Sequence, residues 1–404
     1  MSAPGKIVFA TPFESCLTHR GNRHPALARY LSEAGERVEY LTTTFDHALK
    51  RHSSQERVAE FAAALPYRLT AFWVPGYRRN ISLARMATHI LLARRYSSIL
   101  RARLSPGDVV IAPSRPPELV SAVGAVARKC GAMAILDISD IWPDAFSGLG
   151  GLRYHLFRRC CEVYLRHGVP LYAGYIVTSP DFRDWLGRFI STPKPTFIPL
   201  GFDHDRWQIC RPSAKPLQNG LSIAYVGLLQ RQIELKPVVE ALASRHDIQM
   251  TIIGDDGQGE RFDQLIELLR ARNIENVRML GWLAADSVPG ELARHDIGVV
   301  PMVSSSLPNK LFDYLGACLP MLALGENATS RLVREQGIGW TAPFEPEALG
   351  MVLDRITAAE LREKAERVLA VRKDYDRDIL HRKFHGVIAG LKGSPAKQAA
   401  SRPM

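Results

Sequence analysis

The chain has 404 residues, is 46% hydrophobic and 23% charged, and carries a formal net charge of +11. This length favours two domains, and the composition is that of a globular protein rather than a disordered or fibrous one. The positive charge fits a polyanionic partner, a phosphorylated small molecule or an anionic membrane surface, and it does not choose among them.

The cysteines and the N-terminus carry no targeting or metal signal. The six cysteines show neither a CxxC pair nor metal-ligand spacing, so we expect reduced thiols and no bound metal. The N-terminal stretch MSAPGKIVFATPF lacks the apolar core of a signal peptide, and no stretch reaches the ~18 apolar residues that span a bilayer. These features predict a cytoplasmic protein, with contact to the inner face of the membrane as a further hypothesis.

The first half alternates apolar, β-branched runs with helical patterns. Helices are predicted at 25–34, 82–104, 116–129 and after Pro180, and strands at 6–13, 37–43, 108–114, 132–138 and 174–179. Strands separated by helices indicate a parallel sheet that is covered on both faces.

The alternation stops at residues 199–220, which are rich in Pro, Gly and charge, and then restarts with LSIAYVGLL, IQMTIIGDD, DIGVVPM and PMLALG. We therefore predict an α/β fold with two doubly wound, Rossmann-like domains facing a cleft. The predicted parts are an N-terminal Rossmann-like domain at 1–199, a linker at 200–220, a C-terminal Rossmann-like domain at 221–375, a C-terminal helix at 376–392 that packs on the first domain as one hypothesis, and a disordered tail at 393–404.

The stretch SSSLPNKLFDYLG (304–316) follows a predicted strand and contains one cation and one acid. Ser306 or a neighbour is expected to cap a helix that has Pro308 in its first turn. The helix N-terminus favours an anion, Lys310 adds a mobile cation, and Asp313 suits a sugar hydroxyl. This is the layout that a nucleotide diphosphate requires, although a capped helix with an incidental Lys310–Asp313 pair explains the stretch equally well.

A second stretch, AYVGLLQRQIELKPVVEAL (224–242), reads as strand, loop and helix. Gly227 allows a ligand to approach the backbone, and Arg231 and Lys236 are cations placed beyond the strand end. Together with Lys310 they could neutralise a departing diphosphate, and the alternative is a solvated basic rim.

The order YVGLL, TIIGDDG, NVRMLGW, DIGVVPM and LPNKLFDYLGACLPMLAL resembles the C-terminal half of GT-B glycosyltransferases, above all the family-4 retaining enzymes of the WbuB type. In the first half, DVVIAPSRPPE and ILDISDIWPDAF are similar to segments of the same group. The resemblance implies a retaining, metal-independent transfer from an NDP-sugar to a saccharide acceptor, with no cofactor.

The resemblance also implies residue roles. It places Arg231 and Lys236 on the donor diphosphate, Asp313 on the ribose and Trp282 at the nucleobase. Asp313 matches the second acid of the family's E-x7-E motif, whereas Ser305 stands at the position of the first. The donor-binding candidates are Gly227, Arg231, Lys236, Trp282, Asn309, Lys310 and Asp313.

On the acceptor side, Asp140 follows a buried strand and is our candidate to orient the acceptor or the donor sugar, beside Arg231 and Lys236 as catalytic candidates. Asp137 and Asp144 are rivals for this role, and Arg115 is a further acceptor-side candidate. The family's paired glycines are reduced here to Gly21, which has Arg20 and His19 beside it.

Two basic segments, 77–104 and 151–172, interleave arginines with aromatic and apolar residues. Such segments suit anionic lipid, so we hypothesise a lipid-linked acceptor in envelope polysaccharide synthesis, against the alternative of ordinary helices packed on the sheet. In the first segment one apolar face is predicted to hold Leu83, Met86, Ile90, Ala93, Leu100 and Leu104.

Four other classes of protein are alternatives. A UDP-sugar 2-epimerase shares the two-domain plan, and a catalytically silent sugar-nucleotide-binding subunit is suggested by Ser305. A nucleic-acid-binding protein ranks last because no recognised module is present. A Rossmann dehydrogenase is disfavoured because ESCLTHRGN, and not GxGxxG, follows the first strand.

Overall fold

The computed structural model describes residues 5–18, 21–80, 82–146, 151–207, 220–229, 232–255 and 260–393. The chain divides into two compact units. The first comprises Met1–Ile198 and His381–Met404, and the second comprises Pro199–Leu380.

The first unit contains a seven-stranded parallel sheet with the strand order β5-β2-β1-β6-β7-β8-β9, and a two-stranded antiparallel hairpin β3-β4. The strands are β1 (Ile7–Ala10), β2 (Val38–Thr43), β3 (Phe45–Asp46), β4 (Arg51–His52), β5 (Arg68–Phe72), β6 (Val109–Pro113), β7 (Met133–Ile138), β8 (Gly174–Val177) and β9 (Thr196–Phe197). The helices are α1 (Arg23–Glu33), α2 (Gln55–Ala64), α3 (Leu83–Arg103), α4 (Pro117–Lys129), α5 (Leu152–Gly168) and α6 (Phe182–Gly187), with short 3-10 turns at Asp144–Phe146 and Val169–Leu171.

The second unit contains a six-stranded parallel sheet with the order β12-β11-β10-β13-β14-β15. The strands are β10 (Leu221–Val226), β11 (Ile248–Ile253), β12 (Val277–Gly281), β13 (Ile297–Val300), β14 (Met321–Leu324) and β15 (Gly339–Ala342). The helices are α7 (Lys236–Ala241), α8 (Glu260–Ala271), α9 (Val288–Leu292), α10 (Asn309–Gly316), α11 (Ala328–Gln336), α12 (Pro346–Asp354) and α13 (Ala358–Val371), with 3-10 turns at Asp205–Trp207, Ala285–Ser287 and Arg372–Tyr375. The C-terminal helix α14 (Arg377–Lys392) begins in the second unit and belongs to the first unit from His381 onward.

The central strands are apolar along their whole length because helices cover both faces of each sheet. Every residue of β1, β6 and β13 is buried. Polar caps fix the starts of several helices: Ser82 accepts the backbone N–H of Arg85 at α3, and Thr357 and Glu360 form a reciprocal capping box at α13. The predicted α/β fold with two doubly wound sheets is confirmed.

One predicted helix face is only partly buried: Ala93, Leu100 and Leu104 are buried, but the other predicted members are not. In α3 the buried stripe is Leu92, Tyr96 and Leu100, which recur at the spacing of one helical face, whereas Leu83 and Ile90 are exposed. α3 packs against α4, and α4 against α5, so the three helices form one layer on the sheet.

The segment that precedes β10 is partly built into the second unit. Phe202 donates its backbone N–H to Tyr375 and accepts one from Arg377, and Trp207 is fully buried against the backbone of Gly316. Residues 208–219 of the predicted linker lie outside the described residues, as does the predicted tail after residue 393.

From His381 onward, α14 belongs to the first unit. His385 and Lys392 both contact the carboxylate of Glu36 at 2.9 Å, and Lys383 donates to the carbonyl of Phe197 at 2.8 Å. Among the helices in the described part of the chain, none is long and apolar enough to cross a bilayer.

The strand order reverses beside the first strand of each sheet. In the first unit β1 lies between β2 and β6, and in the second β10 lies between β11 and β13. Ligands of open α/β sheets bind beyond the carboxyl ends of the strands at such reversal points. The loops that follow β1, β6, β10 and β13 are therefore the places to look for a site.

Candidate functional site

Two glycines lie at the carboxyl edge of the second sheet. Gly227 follows β10 and Gly254 follows β11, with φ values of 128° and 123°. A Cβ on Gly254 would lie 2.2 Å from the carbonyl oxygen of Gly227, so a side chain here would separate the two strand ends. The two glycines thus let the ends of β10 and β11 pack closely at the reversal point, where Gly254 is buried and Gly227 is partly exposed.

Lys310 lies beside Gly227. Its Nζ stands 5.0 Å from the ring centroid of Tyr225 and 3.5 Å from the place that a Cβ on Gly227 would occupy. The residue is only 8% exposed, so the predicted mobile cation is instead a packed one. The face of Tyr225 and the space left by Gly227 hold the ammonium group in place.

The start of helix α10 also differs from the prediction. The N-cap residue is Pro308, not Ser306, and Pro308 has extended backbone angles and makes no side-chain cap. The proline therefore precedes the helix rather than occupying its first turn. Asn309 is the first helical residue and is exposed.

Lys310 and Asp313 lie one turn apart on α10, and neither side chain forms a hydrogen bond or an ion pair with another described residue. No described acceptor or carboxylate lies within bonding distance of the Lys310 Nζ, and no described donor lies within bonding distance of the Asp313 carboxylate. Burial lowers the pKa of Lys310 to about 8 despite the nearby charge of Asp313. Burial also raises the pKa of Asp313 to about 6, against the opposing charges of Arg206, Lys310 and Arg377.

Two of these cations were missed by the sequence analysis. Arg206 donates to the carbonyl of Ala285 at 2.7 Å, and Arg377 pairs with Asp203 at 3.2 Å. Both belong to chain segments far from Asp313 in sequence, one inside the predicted linker and the other at the start of α14. No local pattern could have assigned them to the surroundings of Asp313.

Of the predicted basic pair, Arg231 lies outside the described residues. Lys236 is exposed at the start of α7 and lines a cavity of about 390 Å³. Arg261 lines the same cavity and donates to the carbonyl of Ile233 at 3.0 Å, so it is a second cation that the sequence analysis did not select. The other residues that line the cavity are Leu229, Ile233, Glu234, Leu235, Gln264, Leu265 and Leu268.

Trp282 is 71% exposed directly after Gly281, at the carboxyl end of β12. Burying an aromatic side chain is favourable, so a tryptophan this exposed leaves a large face free for a flat partner. Its predicted contact with a nucleobase stays a prediction.

In the first unit, two residues chosen separately from the sequence contact each other. Arg115, after β6, places its Nε 3.5 Å from Asp140 Oδ2, and Asp140 follows β7. The indole N–H of Trp142 also approaches Asp140, at 3.3 Å, and the hydroxyl of Ser114 holds the backbone carbonyl of Asp140 at 2.6 Å. Both side chains remain partly exposed at the carboxyl edge of the first sheet.

The two rival acids are engaged elsewhere. Asp137 is fully buried and accepts from Arg23 Nε at 2.7 Å, and His24 Nε2 lies 3.0 Å from it at an angle poor for a hydrogen bond. Asp144 pairs with Arg188 at 3.0 Å on the surface.

Gly21 packs against the side chain of Glu14. Its φ is +86°, and a Cβ would lie 2.8 Å from Glu14 Cγ, so both the backbone angle and the space require glycine. Glu14 accepts from the backbone N–H of Arg23 at 2.6 Å and contacts His24 Nδ1 at 2.7 Å. Arg20 and His19, the other candidates of this loop, lie outside the described residues.

These contacts link Glu14, His24, Asp137 and Arg23 into one buried network. Burial opposes the charge of His24, but Glu14 and Asp137 outweigh it and raise the pKa of His24 to about 9. Burial likewise opposes both acids, but Arg23 and His24 lower the pKa of Asp137, and His24 lowers that of Glu14. In the described ranges, no group of three or more His, Cys, Asp and Glu side chains has the arrangement of a metal site.

Comparison with known proteins agrees with this geometry. Residues 221–358 match the family model described as "Glycosyl transferases group 1". A Pseudomonas aeruginosa protein described as "Probable glycosyltransferase WbjE" is 23% identical over 311 residues, which cover 72% of this chain and 76% of that protein.

Two solved structures share the fold of the whole chain. HepE from Anabaena, solved in complex with UDP, aligns with a TM-score of 0.70 and 14% identity over 95% of this chain and 100% of its own. WaaG, described as a glycosyltransferase involved in lipopolysaccharide biosynthesis, aligns with a TM-score of 0.64 and 17% identity over 95% of this chain and 100% of its own. Residues 221–358 are thus similar to group 1 glycosyltransferases, and the chain has the GT-B fold.

Proposed function

We propose that this protein transfers a sugar, with retention of configuration and without a metal ion, from an NDP-sugar to a saccharide acceptor. The observation that supports the donor site is the pair Lys310 and Asp313, a buried cation beside Gly227 and a partly buried acid one turn further along α10. Burying charges without partners destabilises a fold, so such groups are candidates for ligand contacts. The solved structures of HepE with UDP and with UDP-glucose support a uridine diphosphate sugar as the donor.

Each donor residue has a distinct role in this proposal. Lys310 neutralises the diphosphate, together with Lys236 and Arg231, and Gly227 admits it to the backbone. The Asp313 carboxylate accepts hydrogen bonds from the ribose hydroxyls, and Trp282 covers the nucleobase. Asn309 lies beside them at the first position of α10.

In the transfer, the bond between the anomeric carbon and the diphosphate oxygen breaks as the acceptor oxygen bonds to that carbon on the same face. The proton of the acceptor hydroxyl passes to the departing phosphate, so no protein nucleophile is required. The protein positions the two substrates and stabilises the charge that develops on the phosphate. Asp140, with Arg115 as its counter-ion, orients the acceptor hydroxyl.

The proposed donor site is tested by titrating UDP, GDP, ADP and CDP into the protein and measuring thermal stabilisation and affinity. We expect one nucleotide to bind preferentially, and the matching sugar nucleotides to be turned over when a pool of saccharide acceptors is added. Product that forms with no acceptor would indicate a UDP-sugar 2-epimerase instead. Binding without any turnover would indicate a silent subunit, and no binding by any nucleotide would contradict the donor site.

We also propose that the acceptor is lipid-linked, in envelope polysaccharide synthesis, and that the protein binds the membrane surface through α5. Leu152, Leu156 and Val163 are 85%, 64% and 56% exposed and recur on one face of this helix. Arg159 and Arg166 are exposed on the same face. The combination of exposed apolar and cationic side chains suits the interface of an anionic bilayer.

Vesicle co-sedimentation tests this membrane contact. Wild-type protein should bind vesicles that contain phosphatidylglycerol more strongly than vesicles of phosphatidylcholine alone, and Leu156→Ser together with Val163→Ser should remove most of the binding. Met351→Ser is the matched control, since Met351 is 54% exposed in the second unit. Equal sedimentation of the double variant and the wild type would contradict the proposal.

A further inference from the structure

A second group of cations lies at the carboxyl edge of the first sheet, around the ring of Tyr77. Lys50 Nζ lies 4.9 Å from the centroid of this ring and Arg85 Cζ lies 5.4 Å from it. Asn80 connects the two cations: its side-chain oxygen accepts from Lys50 at 2.6 Å, and its backbone carbonyl accepts from Arg85 at 2.7 Å. The positive charge of Arg115 also acts on Tyr77 and Arg85, and we call Lys50, Arg85 and Arg115 the cation cluster.

Arg85 is held by neutral groups. Its guanidinium lies over the rings of Tyr77 and Trp142, at 4.7 Å from the latter, and its Nε approaches His89 at 3.4 Å. Among the described residues, no carboxylate lies within ion-pair distance of it. Burial lowers the pKa of Arg85, and the positive charge of Arg115 lowers it further against the influence of Tyr77. The fold therefore desolvates this cation without giving it a counter-ion.

The histidines of the region add no positive charge. Burial, followed by the charges of Lys50, Arg85 and Arg115, lowers the pKa of His47 to about 3. Burial and Arg85 lower the pKa of His89 to about 3 as well. Both rings are thus neutral at physiological pH and act as hydrogen-bond partners.

Three acids face the region, and each has another contact. Asp46 accepts the backbone N–H groups of Ala48 and Leu49, and Glu118 lies 3.7 Å from His89. Asp140 lies 3.5 Å from Arg115, a long ion pair between partly exposed side chains, so an incoming anion can compete for that arginine.

The backbone at Lys50 is a further, independent observation. Its φ is 57°, in the left-handed region that side chains other than glycine, asparagine and aspartate rarely adopt. Such strain is found at functional sites more often than elsewhere. Here it places a lysine, where glycine would be less strained, at the tip of the β3–β4 hairpin.

We propose that the cation cluster receives a phosphate or diphosphate group carried by the acceptor substrate. Arg85 and Arg115 supply guanidinium donors, and Lys50, which also donates to Asn80 and to the carbonyl of His47, adds a third positive charge. A phosphate dianion, with its several oxygens, suits such a group of cations. This inference rests on the proposed function, since it assigns the acceptor to a phosphorylated class. It places the acceptor's phosphate at the edge of the same sheet that carries Asp140.

Inorganic diphosphate is the probe, titrated by calorimetry into full-length protein already saturated with UDP so that the donor site is occupied. The wild-type protein should bind one further equivalent. Arg85→Gln and Lys50→Gly should each weaken this binding by about tenfold or more, because each removes a charge-assisted contact. Lys50→Gly also relieves the strained backbone, so its melting temperature should not fall.

Arg128→Gln is the charge-matched control. Arg128 is exposed in the last turn of α4, roughly 18 Å along the helix from the end that follows Arg115, and its loss should leave diphosphate affinity unchanged. No second equivalent in the wild type, or equal affinity in the wild type, Lys50→Gly and Arg85→Gln, would overturn the inference.

Two further measurements separate the possible causes. UDP affinity is recorded for every variant: normal UDP binding with unchanged diphosphate binding refutes the cluster alone, whereas absent UDP binding refutes the donor site. Vesicles that contain phosphatidylglycerol are then added as a competitor. Displacement of diphosphate by them assigns the phosphate to a lipid headgroup, and no displacement supports a phosphate borne by the acceptor itself.

Discussion

Charged side chains lie at the carboxyl edges of both parallel sheets, but they are paired with one another at one edge and not at the other. In the second unit, Lys310 lies beside Gly227, and neither Lys310 nor Asp313 forms an ion pair or hydrogen bond with a described side chain, although Arg206 and Arg377 act on Asp313 at longer range. In the first unit, Glu14, His24 and Asp137 close upon one another, so that each charged group has a protein partner. Both sets combine buried with partly buried ionisable residues, and both lie near a strand end.

This difference shows that burial of an ionisable residue does not by itself indicate a binding site. In the network around Asp137, the charged groups bind one another and leave none for a ligand. The network therefore contributes to stability and to the conformation of the Gly21 loop. The pair on α10 instead leaves hydrogen-bonding capacity open, which a ligand can satisfy. Mutations should therefore separate the two edges, with losses of stability at the first and losses of affinity at the second.

The largest effect is expected for Asp137→Asn. Removing one member of a buried ion network leaves uncompensated charge, which costs about 3–5 kcal/mol of unfolding free energy. Denaturant unfolding measures this loss. Asp144→Asn is the control, because Asp144 pairs with Arg188 at the surface and should cost less than about 1 kcal/mol. Similar small losses for both variants would contradict the role assigned to the network.

The same network gives a pH dependence with a defined sign. The pKa of His24 is about 9 in the folded chain, above its ordinary value, so the folded state holds the extra proton. The stability from this proton is complete below about pH 6.5 and falls by about 3 kcal/mol as the pH rises to about 9. The lowered pKa values of Glu14 and Asp137 give stability that is lost at acid pH. A stability curve that is flat between pH 6.5 and 9 would exclude this coupling.

Lys310→Met should have opposite effects on affinity and stability. Loss of the ammonium group should weaken UDP binding by about ten- to a hundredfold, as expected for a charge-assisted contact to phosphate. The shift of the Lys310 pKa from 10.5 to about 8 corresponds to a burial cost on the order of 3 kcal/mol at neutral pH, so the unliganded variant should be more stable. Calorimetry with UDP and denaturant unfolding without it measure the two effects.

Lys236→Met is the matched control for this variant. Lys236 is exposed, so its replacement should reduce UDP affinity without stabilising the unliganded protein. If Lys310→Met were less stable than the wild type, Lys310 would have a structural partner, and the contrast between the two edges would fail.

From the sequence, the residues at the strand ends could be identified, but the contacts and burial of each side chain could not. Gly227, Lys310 and Asp313 were found because strand, loop and helix are contiguous in sequence, and Asp140 and Arg115 because each follows an apolar run. The burial of Lys310 was missed, since it depends on Tyr225 and Gly227 in another strand. Networks of distant residues leave no local pattern, which is why neither the Glu14–His24–Asp137 contacts nor the approach of Arg206 to Asp313 was predicted.

The apolar face of α3 shows the same limit. Leu83 and Ile90 fit a helical stripe in sequence, but the surface that α3 presents to its own sheet and to α4 is set by Tyr96 and its neighbours. Periodicity finds a helix, and tertiary packing decides which of two overlapping stripes is buried.

Asp313 should make donor affinity depend on pH. Its pKa is raised to about 6, so lowering the pH from about 7.5 to about 5 protonates the proposed ribose acceptor and should weaken UDP-glucose binding by about tenfold. UDP-glucose is the suitable probe because its diphosphate diester has no ionisation near this pH. Asp313→Asn should bind weakly with no pH dependence, and a wild-type profile that matches this variant would remove Asp313 from the site.

The smallest effect is expected for Trp282→Ala. Stacking of a base on an aromatic side chain contributes about 1 kcal/mol at the lower end, so UDP affinity should fall by about fivefold. Because the side chain is 71% exposed, the melting temperature should not change. Trp73→Ala, which removes a 55% exposed tryptophan from the first unit, should leave UDP affinity unaltered. Equal affinities in both variants would place the nucleobase elsewhere, while a loss confined to Trp282→Ala would show that the second edge binds its ligand with an exposed ring as well as with buried charge.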